Sequence, residues 1–387
     1  MTSTRIPFTD RVLVPMPDSQ SAATDDLLPG RIQQLLEVNQ QQLVLAESCT
    51  AGLAAARLGG VPGISTNFCG SAVVYQEGTK QDWLDLPADL LADHGAVSEP
   101  VAGQMAARSL NQTSAATLAL SITGHLGPAA PADLDGQVFV GLALQQPTGQ
   151  DSTVLVIGRR LDPAGREDRQ RMAADYLLET TLRALQVLDA CRQLGQGESH
   201  RLVSSAGLGT EGQLVFPGAF HPLHDGHREI IRVAERLTGS QVALEISLEN
   251  VDKPALQAAA AVARVVPLET KAVWMTRAAT FAEKAELFPG STFVVGADTI
   301  ARIGQPRYYD SDSLSCEQAI EKITASNCRF LVFGRMLDTE LQADESPRFR
   351  GLDDLDIPDS LREISEAVSE QEFRLDISSR QLRARDG

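Results

Sequence analysis

A chain of 387 residues, 43% hydrophobic and 22% charged, exceeds what a single core commonly fills and reads as two globular domains, which excludes a fibrous or largely disordered protein. A formal charge of −17 argues against a nucleic-acid partner or an anionic membrane surface, because those are gathered by excess Lys and Arg; a small anionic ligand stays open, since it needs only local donors. Five scattered cysteines with no C-x-x-C pair suggest neither a disulfide framework nor a structural zinc site, and with no apolar run of signal-peptide or membrane-span length the expectation is a cytoplasmic protein.

In chain order, residues 1–30 are polar and turn-rich and read as a tail leading into a helix near Arg31 to Asn39. Over 31–193 strand-like runs alternate with helical stretches: "LVLA" (43–46) before the helix "GLAAARL", then "SAVVY" (71–75), "LALSI" (118–122), "QVFVGLAL" (137–144), "STVLVIG" (152–158) and a helix from Arg166 to about Leu188. That alternation predicts an α/β layered domain. Within it, "AESCTAGLAAARL" (46–58) puts Ser48, Cys49 and Thr50 between an apolar run and a helix, so a hydroxyl projects from a strand-to-helix turn. Helix capping is the plain explanation of such a hydroxyl, and a nucleophile is the other. Cys49 is an adjacent candidate, but no His within the motif supports a Cys–His pair.

This segment resembles the A-E-S-C-T-G-G pattern of the CinA carboxy-terminal domain, the nicotinamide-nucleotide amidase family. The likeness continues in family order through "VPGIS" (61–65), "CGSAVVYQEGTKQ" (69–81), "HGAVSEPVAGQMA" (94–106), "ITGHLGP" (122–128) and "GREDRQR" (165–171). The resemblance implies hydrolysis of the carboxamide of nicotinamide mononucleotide, with Ser48 as nucleophile, Lys80 as its base, Tyr75 and Thr123 orienting groups or stabilising the oxyanion, and Arg166 holding the substrate phosphate. It also implies a homo-oligomer formed through this domain. Ala51 stands where the family has the first of two glycines, and His125 where an apolar residue is common. Read without the family, Lys80 is a solvated surface residue, Tyr75 a core ring with a wet hydroxyl, Thr123 a turn hydroxyl and Arg166 a charge at a helix start.

Gly and Ser accumulate over 194–212, which reads as a linker. A second α/β domain is expected over 213–387, with strands "QLVF" (213–216), "VALEIS" (242–247), "TFVVG" (292–296) and "RFLVFG" (329–334) in a parallel, Rossmann-like sheet. Residues 339–360, rich in Asp, read as a solvated excursion from the core. Between the first strand and a helix reaching about Leu237 lies "FPGAFHPLHDGHREI" (216–230), which holds His221, His224 and His227. Strand, glycine turn and helix start make an anion site in which Gly218 and Gly226 let a phosphate approach the backbone and the imidazoles add donors. A tetrahedral zinc site from the three histidines lacks a completing Cys or carboxylate at a recognisable spacing, and ordinary turn histidines are the remaining reading.

"GAFHPLHDGH" is similar to the G-x-F-x-P-x-H-x-G-H signature of the nucleotidylyltransferase superfamily, "FVVGAD" (293–298) to its strand-plus-Asp segment, and "ISSRQLR" (377–383) to its I-S-S-T-x-x-R motif. The resemblance implies in-line attack by a mononucleotide phosphate on the α-phosphorus of ATP or CTP, with Mg²⁺ accompanying the triphosphate. His224 and His227 would stabilise the transition state, Ser378, Ser379 and Arg383 would hold the outer phosphates, and Gly218, Phe220, His221, Gly226 and Asp298 would line the nucleotide site. Together the two resemblances imply a bifunctional pyridine-nucleotide enzyme that deamidates a mononucleotide and adenylylates it, with ATP and a pyridine mononucleotide as small-molecule partners. Two alternatives stay open. The second domain takes another base or acceptor, or the first is an inactive ligand sensor or dimer platform.

Overall fold

Leu43, Val44, Leu45 and Ala46 form an unbroken apolar run, and the strand they begin, β1 (Leu43–Glu47), is buried at every position, as a central strand covered on both faces must be. A computed structural model describes this chain over residues 27–146, 152–203, 209–249, 254–269, 271–305, 315–337 and 348–374. The chain divides into two compact units at Asp189/Ala190.

The first unit runs α1 (Leu28–Val38), β1, α2 (Leu53–Gly59), β2 (Phe68–Val73), α3 (Glu77–Leu84), α4 (Ala88–His94), α5 (Glu99–Gln112), β3 (Leu118–Gly124), β4 (Gln137–Leu144), β5 (Thr153–Arg160) and the greater part of α6 (Arg166–Gly195). Its five-stranded sheet has the order β2-β1-β3-β4-β5; β1 pairs in parallel with β2 and β3, and β4 and β5 extend the sheet antiparallel. Helix α5 lies against β3 and β4 at very short range. A Cβ at Gly141 would come within 2.2 Å of Ala102 O, and Ser121 Oγ donates to that same carbonyl at 2.6 Å. Only a glycine on β4 permits that approach. Strand β1 thereby delivers its last residue, Glu47, and the turn after it to the carboxyl end of the parallel part of the sheet.

The second unit runs β6 (His200–Val203), β7 (Leu214–Pro217), α7 (Asp225–Thr238), β8 (Val242–Ser247), α8 (Ala258–Val265), β9 (Val273–Thr276), α9 (Phe281–Leu287), β10 (Thr292–Gly296), α10 (Ala297–Ile303), α11 (Cys316–Ala325), β11 (Arg329–Phe333), β12 (Arg335–Leu337), β13 (Arg348–Arg350), α12 (Asp359–Glu363) and β14 (Ser365–Val368). Its seven-stranded sheet is ordered β14-β11-β10-β7-β8-β9-β6, parallel except for β6. From β9 to β14 this is a doubly wound order that reverses between β7 and β10, the place where such sheets open a crevice. β12 and β13 form a separate antiparallel ribbon. Among the described residues no helix is long and apolar enough to cross a membrane, and no cluster of three or more His, Cys, Asp or Glu is arranged to hold a metal.

Three expectations change here. Residues 194–212 are not wholly a linker, because His200–Val203 is β6, paired antiparallel with β9 through Leu202↔Trp274; four residues between Gly/Ser clusters are too short to read as an edge strand. Residues 339–360 are not wholly a solvated excursion. Leu352, Leu355 and Ile357 are buried in the second unit's core beside Leu361, and the intervening aspartates mask a spacing that reaches the core every two or three residues. The first helix begins at Leu28, within the segment read as a tail, with a proline in its first turn; residues 1–26 lie outside the described ones.

The second unit also holds a buried ion pair that the sequence does not announce. Lys284 Nζ donates to Glu245 Oε1 at 2.8 Å and to Ala278 O at 2.7 Å, and Thr276 Oγ1 donates to the same carboxylate oxygen at 2.6 Å. Replacing Lys284 by Met leaves Glu245 buried without its counter-charge, and the second unit is expected to lose about 3–5 kcal/mol. Lys322→Met, whose partner Glu286 is exposed, is expected to change stability by less than about 1 kcal/mol, both read from urea unfolding midpoints.

Candidate active site

Beyond Glu47 the chain turns sharply. Ala51 sits at φ +52° and Gly52 at φ +91°, and Leu53 then starts α2. Ser48 is held in this turn by its own N–H, which donates to Ile122 O at 3.0 Å, and by Ala51 N–H on Ser48 O at 3.1 Å. Its side chain meets Lys80, which comes from the middle of α3. Lys80 Nζ lies 3.0 Å from Ser48 Oγ and donates to Val74 O at 2.8 Å.

Both groups are enclosed: Lys80 is 1% exposed and Ser48 7%. Burial holds the Lys80 ammonium's pKa below the ordinary lysine value, against the weaker pull of Cys49 and Glu77. Lys80 Nζ thus stands within hydrogen-bond reach of both Val74 O and Ser48 Oγ and donates to each. The neighbouring thiol moves the other way. Cys49 is pushed up to about 12, chiefly by the same burial, so it is not a thiolate near neutrality and the alternative nucleophile loses its chemistry.

The other residues singled out from the sequence lie around this pair with specific partners. Thr123, buried at the end of β3, donates to Ala96 O at 2.8 Å, which ties the loop after α4. Tyr75 is 51% exposed, and its hydroxyl accepts from Arg166 Nη2 at 2.6 Å, while Arg166 Nη1 donates to Gly127 O. Arg166 also acts electrostatically on Cys49, so it belongs to the same neighbourhood as the dyad. His125 is half-buried, and its backbone pairs with Gln137 and Gly136.

Two functional supports escaped the sequence reading. Glu47, fully buried, accepts on Oε2 from Gly52 N–H (3.1 Å) and Ala54 N–H (3.1 Å), and on Oε1 from Ala55 N–H (2.9 Å) and Ser71 Oγ (3.0 Å). Arg169, 5% exposed, grips both oxygens of Asp135 at 2.7 and 2.8 Å, holding the loop between β3 and β4; the guanidinium keeps that carboxyl below the usual carboxylate range. The stretch "GREDRQR" carried this signal, since a second arginine follows Arg166 by three residues, just under one helical turn.

In the second unit the histidine loop leaves β7 at the reversal point of the sheet. His224 and His227 are half-buried and stack with ring centroids 3.7 Å apart, and His224 N–H donates to His227 Nδ1 at 3.3 Å. His227 also packs edge-on against Phe216 and Phe220. A Cβ at Gly218 would stand 2.7 Å from the ring of Phe220, so packing alone requires a glycine there. Gly226 is buried in the first turn of α7 and His221 is exposed. Asp298, just after the adjacent β10, pairs with Arg335 Nη1 at 2.9 Å. Ser378, Ser379 and Arg383 lie outside the described residues.

An α/β unit with a hydroxyl turn closed over a buried lysine is the class of domain this geometry defines. Residues 26–182, which span the whole arrangement, match the family model described as the CinA C-terminal domain. This stretch is similar to a CinA-like protein of Parasynechococcus marenigrum (strain WH8102), 36% identical over 162 residues, 42% of this chain and 38% of that protein. A CinA-like protein of Myxococcus xanthus (strain DK1622) is 40% identical over 140 residues, 35% of this chain and 31% of that protein. This chain therefore spans less than two fifths of the length of either relative. Among solved structures, the competence/damage inducible protein CihA from Agrobacterium tumefaciens is similar at 29% identity over 42% of this chain and 94% of that one, with a TM-score of 0.38.

The left-handed Ala51 gives a direct check on the turn. A non-glycine there costs roughly 1–2 kcal/mol, part of which glycine returns to unfolded-chain entropy, so Ala51→Gly is expected to stabilise the first unit by about 0.5–1 kcal/mol in thermal unfolding.

Proposed function

We propose that the first unit is a serine amidase acting on a pyridine mononucleotide, in which Ser48 attacks the carboxamide carbon and Lys80 is its base. The observation that carries this reading is the 3.0 Å approach of Lys80 Nζ to Ser48 Oγ, both of them buried. Lys80 takes the serine proton as Oγ bonds to carbon, then returns it to the departing nitrogen, which leaves as ammonia. Water, deprotonated by the same amine, cleaves the resulting ester and frees the carboxylate and Ser48. Arg166 supports a phosphate-bearing substrate, because its guanidinium faces the site through exchangeable contacts with Tyr75 and Gly127. The homo-oligomer expected from the family resemblance is part of this proposal.

For the second unit we propose transfer of an adenylyl group from ATP to a mononucleotide. What supports it is the coincidence of the histidine loop and Asp298 at the carboxyl ends of β7 and β10, adjacent strands at the reversal of the sheet. The side chains present suit a Mg²⁺ that arrives on phosphate oxygens, with Asp298 as the carboxylate that would hold it once exchanged from Arg335. Such an ion neutralises triphosphate charge; His227 and His224 bind and orient the phosphates.

Ser48→Ala and Lys80→Met are each expected to lower ammonia release from nicotinamide mononucleotide by about 10³-fold or more, without loss of folding. In the parent protein kcat/KM should rise with pH through one ionisation below the ordinary lysine range, because the base works only when deprotonated. Full ammonia release by Ser48→Ala removes the amidase reading. Independently, His227→Ala is expected to abolish pyrophosphate release from ATP with nicotinate mononucleotide while amidase activity persists. No pyrophosphate from the parent protein with any pyridine mononucleotide removes the transferase reading.

A further inference from the structure

We propose that Glu47 is the positioning residue of the Ser–Lys pair, an internal carboxylate that occupies the anion cradle of the turn and fixes Ser48 against Lys80. The proposal rests on the reading of Ser48 as a nucleophile, and not on the identity of its substrate.

A strand, a left-handed turn and a helix start in that order point free amide N–H groups at one spot, which in many proteins receives a ligand's phosphate. Here the spot is taken. Three of those amides, from Gly52, Ala54 and Ala55, go to the Glu47 carboxylate, and Ser71 Oγ from β2 supplies a fourth donor. Each carboxylate oxygen accepts two hydrogen bonds, and all four partners are donors, so only a group that accepts on both oxygens satisfies the set. A substrate phosphate has no room at this turn and must be bound elsewhere, which fits the position of Arg166.

Residue 47 governs both halves of the pair. Its side chain clamps the turn that carries Ser48, across an Ala51 and a Gly52 that are both left-handed. Its backbone carbonyl accepts Val74 N–H at 2.8 Å, and Val74 O is the acceptor that holds Lys80 Nζ. The serine and the lysine, 32 residues apart in sequence, are thus registered to one residue in the central strand. The fully buried carboxylate touches neither Ser48 Oγ nor Lys80 Nζ by hydrogen bond, so it acts through geometry.

The test is the rate at which a fluorophosphonate labels Ser48 in the full-length protein, followed by mass spectrometry, alongside a thermal melt. Glu47→Gln puts an NH₂ group where amide donors already point, and is expected to slow labelling by about 100-fold in protein that still melts cooperatively, as displacement of a reacting group by about 1 Å does. Ser71→Ala removes one donor and is expected to slow it by about two- to fivefold. In ammonia release the loss should fall on kcat, with KM within about twofold of the parent, since substrate contacts are untouched. Folded Glu47→Gln labelled at the parent rate overturns the proposal; where Glu47→Gln does not fold, Ser71→Ala at the parent rate overturns it. A parent protein inert to the reagent removes the nucleophile and the proposal together. A parent that is labelled at Ser48, with slower labelling in both variants, upholds the positioning role even where no pyridine nucleotide is hydrolysed.

Discussion

The first unit depends on the enclosure of one amine. A lysine side chain carries a strongly hydrated charge, and removing it from water disfavours the ammonium over the free base. At Lys80 no carboxylate lies within salt-bridge distance among the described residues, and burial lowers the pKa of the amine. Its donors go to Val74 O and Ser48 Oγ. The same enclosure acts oppositely on two neighbours: desolvation that favours a lysine's free base makes a thiol a worse acid, so burial lowers the pKa of Lys80 and raises that of Cys49. In the proposed reaction Ser48 passes its proton to Lys80, 3.0 Å away.

Everything else in the unit serves to hold two chain segments in register. β1 is the common reference: its side chain at Glu47 fixes the serine turn, its backbone fixes the segment leading to α3, and β3 on its other side accepts Ser48 N–H. The bidentate Arg169–Asp135 contact plays the matching part for the loop between β3 and β4, from which Gly127 meets Arg166. The site is built on strand ends and helix starts, with loops pinned at one or two carboxylates. Such construction would keep Ser48 and Lys80 within the narrow tolerance that the proposed catalysis requires.

The strands that read plainly from sequence are those with sustained apolar runs. β4, β8 and β10 coincide with "QVFVGLAL", "VALEIS" and "TFVVG", because a strand buried on both faces must be apolar at nearly every position. Elements that are short or one-sided were not legible: β6 and β14 have four residues each and sit at the sheet edges, where half the positions can be polar. The buried run Leu352, Leu355, Ile357 was hidden by aspartates that a 3-10 turn places outward. For the site, Ser48 was legible as a turn hydroxyl, but Lys80 as a base came only through family likeness, since nothing in "QEGTKQDWL" separates a buried lysine from a solvated one. Glu47 was missed because a charge at the end of an apolar strand reads as the point where the strand surfaces. It does not surface; the amides of the next helix take the place of water.

The two buried lysines of this chain show how little the residue type decides. Lys284, like Lys80, is nearly sealed from solvent and donates to a backbone carbonyl from a helix. Its other partner is a carboxylate, Glu245, 2.8 Å away, which also accepts from Thr276 Oγ1. Lys80 has a serine hydroxyl in that place, and no carboxylate within salt-bridge distance among the described residues. That ion pair ties β8, β9 and α9 together. In the proposed reaction a lysine that faces a hydroxyl without a counter-ion is the one that can serve as base. On that proposal the difference between a structural lysine and a catalytic one is the identity of one contact at similar burial.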